Sequence, residues 1–251
     1  MASPRKQRLR VEVCFSHNLF PLHKDEHEVV VVIDVLRASS AICTAFEYGA
    51  KEVIPLSTIE EAQEYKNNGY LAAAERQGKI VEGFEYGNSP FSYMCSDIKD
   101  RSIALTTTNG TKAITTASKE SSNIVIGSLV NLRSISNWLI KQQKNTLLLC
   151  SGWQNRFNLE DSLCGGAIAD NLINTGFYAS EHDSSIASKY LFRSASHNYF
   201  GFLKSSSHRR RLRNLNLNED IKYCLTPDQT SVVPILEGGR IVSMDWNADD
   251  L

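Results

Sequence analysis

Short apolar segments alternate with amphipathic segments along most of the chain. Runs typical of β-strands lie at residues 10–15, 29–34, 53–56, 71–74, 103–105, 124–126 and 146–150. Amphipathic patterns with capping residues predict helices at 38–48, 58–67, 111–118, 131–142 and 160–174. Such alternation is typical of an α/β fold, and we expect a largely parallel or mixed sheet with helices on both sides.

Two parts of the chain depart from this simple alternation, an early apolar segment and the last third. Residues 29–34 are so continuously apolar that we expect a central strand that is covered on both faces. The last third is polar and helical from about 181 to 224, and residues 231–236 and 240–244 predict a hairpin across two glycines. With no internal repeat and no long linker, we expect one domain over residues 10–250, more helical at about 180–225.

Composition excludes several classes. The chain has 251 residues, 42% hydrophobic and 22% charged, as in ordinary globular proteins. Its 27 basic and 28 acidic residues leave a net charge of -1, which gives no overall field for nucleic acid. No apolar run reaches the roughly 18 residues of a membrane span, and the basic start leads into a strand, so we expect a cytoplasmic protein. The six cysteines show no disulfide or metal-finger spacing.

Residues 103–118 run from an apolar strand through a threonine-rich turn into a helix. The hydroxyls of Thr106, Thr107, Thr108 and Thr111, the amides around Gly110 and the positive helix end would converge on one point. That arrangement is typical of an anion site, and phosphate is its commonest ligand. In the alternative interpretation, Thr108 or Asn109 only caps the helix.

Acids and arginines follow the other predicted strands. Because ligands of open α/β sheets bind beyond the carboxyl ends of the strands, we expect these side chains to form one site. Carboxylates are hard ligands for Mg²⁺, and guanidinium groups bind phosphate or sulfonate oxygens. The residues concerned are Asp34, Arg37, Glu75, Arg76, Asn88, Ser89, Ser151, Gly152, Arg156 and Asp161.

Four strings in this order resemble the 2-phosphosulfolactate phosphatase family. They are Asp34-Val-Leu-Arg-Ala-Ser, Glu75-Arg-Gln-Gly, Gly83-Phe-Glu-Tyr-Gly-Asn-Ser-Pro and Thr106-Thr-Thr-Asn-Gly-Thr. The resemblance is strong over residues 29–169 and weaker beyond. It implies a magnesium-dependent phosphatase with an α/β/α layered fold. Its reaction would convert (2R)-O-phospho-3-sulfolactate to 3-sulfolactate and phosphate, a step associated with coenzyme M biosynthesis.

The resemblance also implies roles for the residues. Asp34, Glu75 and Asp161 would be the catalytic acids and the Mg²⁺ ligands, with a metal-oriented water favoured over a side chain as the nucleophile. A small anionic substrate would be held by Arg37, Arg76, Asn88, Ser89, Thr107, Thr108, Asn109, Gly110, Thr111, Ser151, Gly152 and Arg156. A homodimer is the commonest assembly for such an enzyme and is expected here.

The chain departs from the family pattern in two places. Trp153 stands where a second glycine is expected, and the run Ser-Ser-Ser-His-Arg-Arg-Arg-Leu-Arg at 205–213 has no match. Basic residues at 204–213 could contact nucleic acid, although a solvated helix face is the favoured interpretation. His23 and His27, four residues apart, are interpreted as part of a solvated loop, without a zinc site.

Two further functions stay open. Cys150 and Arg156 have the spacing of cysteine-dependent phosphatases, in which loop amides and an arginine surround a phosphate. No histidine precedes Cys150, and Phe157 follows where a hydroxyl residue is usual, so this pattern is weak. The same turn and arginines would also suffice for an anion-binding module without turnover.

Overall fold

The computed structural model describes residues 8–23 and 27–244. Within them, eleven strands form one sheet in the order β5-β4-β6-β3-β11-β10-β7-β2-β8-β1-β9. The strands are β1 Leu9–Cys14, β2 Val29–Ile33, β3 Glu52–Pro55, β4 Leu71–Arg76, β5 Lys79–Ile80, β6 Ser102–Thr106, β7 Ile124–Gly127, β8 Thr146–Cys150, β9 Tyr178–Ala179, β10 Pro234–Glu237 and β11 Arg240–Ser243. The helices are α1 Ala38–Glu47, α2 Ile59–Asn67, α3 Gly110–Ser118, α4 Leu132–Gln142, α5 Leu159–Asn174, α6 Asp183–Ala195, α7 Tyr199–Phe202, α8 Ser207–Asn214 and α9 Asn218–Cys224.

The sheet consists of two parallel blocks with a hairpin between them. Strands β4, β6 and β3 are parallel to one another, as are β7, β2, β8, β1 and β9. The hairpin β10–β11 is antiparallel to both neighbours, β7 and β3. The two blocks therefore run in opposite directions, and the prediction of a mixed, mostly parallel sheet is confirmed.

Strand β2 lies in the middle of its block, paired with β7 and β8. Val31 and Ile33 pack into one core with α4 and α5, whereas Val30 and Val32 pack into a second core with α1 and α3. Successive side chains of a strand point to opposite faces, so a continuous apolar run fits a strand that is buried on both sides. The layers are helix, sheet and helix, as expected.

Local signals set the helix ends. Thr58 and Glu61 form a capping box at the start of α2, because the Thr58 side chain accepts from the Glu61 amide at 3.1 Å and the Glu61 carboxylate accepts from the Thr58 amide at 3.0 Å. Helix α5 lies so close to α6 that a Cβ on Gly166 would come within 2.0 Å of the Ser188 carbonyl oxygen. A glycine at that point of α5 is therefore a steric requirement.

The C-terminal third supplies helices α6 to α9 and the hairpin strands that separate the two blocks. The predicted hairpin is confirmed, with Ile235 opposite Val242, although its first strand begins at Pro234. Among residues 8–23 and 27–244, no helix combines the length and the apolar character that crossing a bilayer requires. All six cysteines are free thiols.

Candidate active site

A small cavity lies where helix α8 meets the carboxyl ends of β2, β4 and β6. Its lining residues are Asp34, Leu36, Arg37, Glu75, Gly78, Asn88, Thr108, Asn109, Trp153, His208, Arg211 and Leu212. Strand β2 belongs to one parallel block, whereas β4 and β6 belong to the other. We predicted a site at one edge of a largely parallel or mixed sheet, and the structure gathers the cavity from the carboxyl ends of strands in two opposed blocks.

Asp34 follows β2 and is buried. The Gly110 Cα, at the start of α3, lies so near that a Cβ there would come within 2.9 Å of Asp34 Oδ2 and 2.6 Å of the Ala38 Cβ. Gly110 therefore allows the helix end to pack directly against the acid. The predicted partnership between Asp34 and the threonine turn exists, and the missing glycine side chain makes it possible.

The charge of Asp34 is unfavourable in this place. Burial raises the pKa of Asp34 well above its usual value, and the nearby carboxylates of Asp161 and Glu75 raise it further. Glu75 is also buried and lines the same cavity. Two acids that repel each other in a buried cavity call for a cation between them or a proton on one of them.

Glu75 accepts hydrogen bonds from Thr108 of the threonine turn and from Gly78. The Thr108 amide donates to Glu75 Oε2 at 3.2 Å and the Thr108 hydroxyl donates to the same oxygen at 3.1 Å. The Gly78 amide donates to Oε1. The turn therefore orients an acid at the cavity, and the Thr108 donors that we predicted for phosphate are engaged by Glu75.

The remaining threonines of the turn cap the helix. The Thr111 amide donates to Thr107 Oγ1 at 3.2 Å, and the Thr107 amide donates to Thr111 Oγ1 at 3.3 Å. Both side chains are buried outside the cavity lining. The capping interpretation names Thr108 or Asn109, but the side chain that accepts from a helix amide is that of Thr107, whereas Asn109, at the N-cap position, makes no side-chain cap and lines the cavity.

Two polar groups at the site have no partner within the described residues. Asn88 Oδ1 is buried without a hydrogen bond, and so is Arg211 Nε. The Arg211 guanidinium lies over the ring of Trp153, with its central carbon 3.3 Å from the ring centroid. Buried groups of this kind are rare in folded proteins and are frequent where a ligand completes the structure.

Two of the three predicted strand-end arginines, Arg37 and Arg76, are engaged by protein groups. Arg37 Nη1 lies 2.5 Å from Asp220 Oδ2 on α9, and Arg37 Nη2 donates to the Gly78 carbonyl at 2.9 Å. Arg76 donates to the Glu75 carbonyl at 2.6 Å and to the Thr106 hydroxyl at 3.0 Å, outside the cavity lining. Arg37 therefore lines the cavity with its charge balanced by Asp220, and Arg76 joins the ends of two strands.

Asp161 joins the loops behind the cavity. Its oxygens accept from the Val35 amide at 2.9 Å, the Ser151 hydroxyl at 2.9 Å, the Asn158 side chain at 2.8 Å and the Gly152 amide at 3.2 Å. Burial raises the pKa of Asp161 to about 6, and the neighbouring Glu160 contributes to the rise, while these hydrogen bonds oppose it.

The three predicted metal ligands are therefore not gathered around one point. Asp34 and Glu75 line the cavity, whereas Asp161 does not, and its hydrogen bonds occupy both oxygens. Within residues 8–23 and 27–244, no three or more His, Cys, Asp or Glu side chains are arranged to hold a metal ion. Ser151 and Gly152 serve the same junction, and Ser89 precedes a 3₁₀ turn, so none of the three lines the cavity.

The cysteine-phosphatase arrangement is absent at Cys150 and Arg156. Burial raises the pKa of the Cys150 thiol well above its usual value, which disfavours the nucleophilic thiolate. The loop is closed on itself, since Trp153 and Arg156 exchange backbone hydrogen bonds of 2.9 Å. A Cβ on Gly152 would come within 2.4 Å of the Arg156 carbonyl oxygen, and the Arg156 residue is exposed.

Helix α8 contributes His208, Arg211 and Leu212 to the cavity lining, and none of the three is among the site residues predicted from the sequence. We interpreted the basic run at 204–213 as a solvated face, but His208 and Arg209 are buried. Arg209 stacks on Phe200, 3.7 Å from the ring centroid, and donates to the Phe200 carbonyl. The spacing of His208, Arg211 and Leu212 places them on one face of the helix, and this was the available signal.

Metal-assisted hydrolysis of a phosphate ester uses groups that attract a divalent cation and groups that attract an anion, and this cavity offers both. The α/β/α fold and the cavity are compatible with a phosphoric monoester hydrolase. Sequence comparison narrows the class, because residues 14–239 match the family described as 2-phosphosulpholactate phosphatase. The chain belongs to that family.

Several named relatives are similar in sequence to this chain over most of its length. A protein of Caldanaerobacter subterraneus subsp. tengcongensis named "Probable 2-phosphosulfolactate phosphatase" is 41% identical over 217 residues, covering 84% of this chain and 89% of the relative. Proteins with the same name from Thermotoga maritima and Clostridium novyi are 40% and 34% identical, each over 90% of this chain and 96% of the relative.

Proposed function

We propose that this chain hydrolyses (2R)-O-phospho-3-sulfolactate to (2R)-3-sulfolactate and phosphate, with Mg²⁺ as its cofactor. The observation that carries the proposal is the single cavity in which two buried acids, Asp34 and Glu75, face the buried and unpartnered groups of Asn88 and Arg211. The names of the relatives support the substrate.

The donor set at the cavity fits Mg²⁺. Two carboxylates and the unpartnered Oδ1 of Asn88 are hard oxygen ligands, and Mg²⁺ typically takes one or two carboxylates and keeps several waters. A bound cation would offset the mutual repulsion that raises the pKa of Asp34. When bound, Mg²⁺ would supply positive charge to the phosphate oxygens as a Lewis acid.

The charges of the cavity also argue for a cation. The substrate carries phosphate, sulfonate and carboxylate groups, and Arg37 is already balanced by Asp220. Arg211 is then the arginine of the lining that forms no ion pair among the described residues, and it faces two acids there. One guanidinium cannot offset the two acids and a polyanionic substrate together.

Different residues around the cavity would bind the anionic groups of the substrate and the cofactor. Arg211 would hold an anionic group of the substrate through its planar fork, since Trp153 already fixes the guanidinium plane. Asn109 lines the cavity at the positive end of α3, where a phosphate is favoured. Asp34 and Glu75 would hold the cofactor and orient the attacking water, because an ionised carboxylate accepts its hydrogen bonds.

Phosphate release from a small panel of esters tests the proposal. The panel contains phosphosulfolactate, phospholactate and phosphoglycolate, each with Mg²⁺ and with EDTA. We expect turnover with Mg²⁺ alone and the highest kcat/KM for the sulfonate ester. An equal response to all three esters would contradict the substrate assignment, and full activity in EDTA would contradict the cofactor. Ligand binding without phosphate release would identify an anion-binding module instead.

A further inference from the structure

A buried glutamate–histidine pair lies beside the cavity and has no part in the function described so far. Glu160, in the first turn of α5, is fully buried, and His208, in α8, lines the cavity. His208 Nδ1 lies 2.5 Å from Glu160 Oε1. The second oxygen of Glu160 accepts from the Ser206 hydroxyl at 3.3 Å, and Ser206 also caps α8.

The pair fixes the proton on one nitrogen of the ring. Burial alone would raise the pKa of Glu160, but His208 and its hydrogen bond lower that pKa below its usual value. The carboxylate is therefore ionised and accepts, so Nδ1 must donate to it. Because the two ring nitrogens lie on opposite sides of the imidazole, Nε2 points away from Glu160.

The ring is also held in its plane. His208 stacks on Trp153, with the ring centroids 5.3 Å apart and the planes inclined by 26°. The charged groups around it are Glu160 from α5, Arg211 from its own helix and, across the cavity, Asp34, Glu75 and Arg37. An imidazole oriented by a buried carboxylate at the wall of a catalytic cavity has the arrangement of a general acid or base.

We propose that His208 acts in its doubly protonated form: Glu160 holds Nδ1–H, and the second proton, on Nε2, is donated to the ester oxygen of the leaving alcohol. The inference rests on the proposed function. As a water oxygen bonds to phosphorus, the bond between phosphorus and the ester oxygen breaks, and its electron pair stays on that oxygen. The oxygen takes the Nε2 proton. The attacking water loses one proton and His208 regains one from solvent, so the sum is ester plus water to alcohol plus hydrogen phosphate.

The leaving group explains why such a donor is needed. Hydrolysis of phosphosulfolactate releases a secondary alcohol. Without a proton donor, this alcohol would have to leave as an alkoxide, which is a poor leaving group. A positioned acid typically accelerates such a step about 10²–10⁴-fold. A phenolate with a low pKa, such as p-nitrophenolate, leaves without a proton, and this difference provides the test.

The experiment compares His208→Gln with the wild type on phosphosulfolactate and on p-nitrophenyl phosphate, both with Mg²⁺. We expect kcat/KM to fall about 10²–10⁴-fold on phosphosulfolactate and less than about tenfold on the nitrophenyl ester. The matched control is His197→Gln, which replaces an exposed histidine of the same C-terminal third. It should change neither rate. Circular dichroism and thermal melting establish that each variant is folded.

Glu160→Gln gives an independent readout. The variant keeps the shape of the side chain but offers no carboxylate to His208 Nδ1, so kcat/KM should fall more on phosphosulfolactate than on p-nitrophenyl phosphate. A merely structural role of Glu160 would lower kcat/KM equally on both esters.

Three results would overturn the inference. Equal losses on both esters would make His208 structural, and a rise in KM with kcat unchanged would make it a binding residue. A phosphohistidine trapped during turnover would make it a nucleophile. Failure of the wild type to release phosphate from phosphosulfolactate would instead contradict the proposed function, and the same comparison would then be made with the ester of the panel that it does hydrolyse.

Discussion

The cavity and the junction behind it both bury acids, but the groups that surround the acids differ. At the junction, Asp161 accepts four hydrogen bonds from the two loops that follow β2 and β8. At the cavity, Asp34 and Glu75 face each other, and the neighbouring Asn88 Oδ1 and Arg211 Nε are buried without a hydrogen bond. The two regions adjoin, because Asp161 raises the pKa of Asp34.

The difference suits a structural role for Asp161 and the proposed cofactor-binding role for the cavity acids. A buried carboxylate whose two oxygens accept four hydrogen bonds fixes one arrangement of the backbone, as Asp161 does for the loops after β2 and β8. An acid such as Asp34, buried near the carboxylates of Asp161 and Glu75, lowers the stability of the fold when it is charged, and such acids are retained where function requires them. Substitutions in the two regions should therefore act on different measurements.

The largest effect is expected from Asp34→Asn. The variant keeps the shape of the side chain but loses a charge that the cofactor needs, so kcat/KM with Mg²⁺ should fall about 10³-fold, or about 4 kcal/mol. In EDTA its melting temperature should equal or exceed that of the wild type, because one of two repelling buried charges is gone. Phosphate release and thermal melting measure both effects.

Asp97→Asn, at an exposed acid, is the matched control and should change neither quantity. Mg²⁺ should raise the melting temperature of the wild type and leave that of Asp34→Asn unchanged, because a ligand that binds only the folded state stabilises it. Full activity of Asp34→Asn would remove Asp34 from the site.

Asp161→Asn should give the opposite result. The new side-chain NH₂ group would face donors that now bond to the Asp161 oxygens, so some buried N–H groups would lose their partners. The free energy of unfolding should therefore fall by about 2–3 kcal/mol. At a temperature where the variant stays folded, its kcat/KM should remain within about tenfold of the wild type, since Asp161 does not line the cavity. Urea denaturation and phosphate release test the two statements. An intact melting temperature with lost turnover would show that Asp161 belongs with the functional acids.

Arg211→Gln should have a smaller effect, confined to binding. Removal of the guanidinium should raise the KM for phosphosulfolactate about tenfold to a hundredfold, or about 1.4–3 kcal/mol, with kcat little changed. Arg213→Gln on the same helix replaces an exposed arginine and should leave KM unchanged. Equal rises in both variants would indicate a general effect of positive charge instead of a defined contact.

The sequence predicts the elements of this site better than their partners. The apolar run at 29–33 and the threonine cap are local signals, and the structure contains both. Which hydroxyl serves Glu75, and whether Arg37 meets Asp34 or Asp220, depends on contacts between residues far apart in the chain. Periodicity carries no information on such pairs, because it reports a face and not the group opposite it.

The two departures from the family pattern also involve a contact between distant residues that the sequence does not reveal. Trp153 lies over Arg211 and stacks on His208, so the unexpected tryptophan and the unmatched basic run contact each other at the cavity. Each alone suggested an altered pocket or a solvated helix. Their contact was not available from the sequence, since 55 or more positions of chain separate them.

The pH dependence of stability provides the finest test of the comparison. The pKa of Asp161 is raised from 3.8 to about 6, chiefly by burial. Between these values the unfolded chain has released the proton while the folded protein keeps it, so the free energy of unfolding falls as the pH rises from 4 to 7. Asp161→Asn lacks this titration, and its stability deficit relative to the wild type should therefore narrow over the same range. Urea denaturation in EDTA at pH 4, 5.5 and 7 measures the deficit. If it widens instead, the four hydrogen bonds outweigh burial, and the junction stabilises its acid in the charged form.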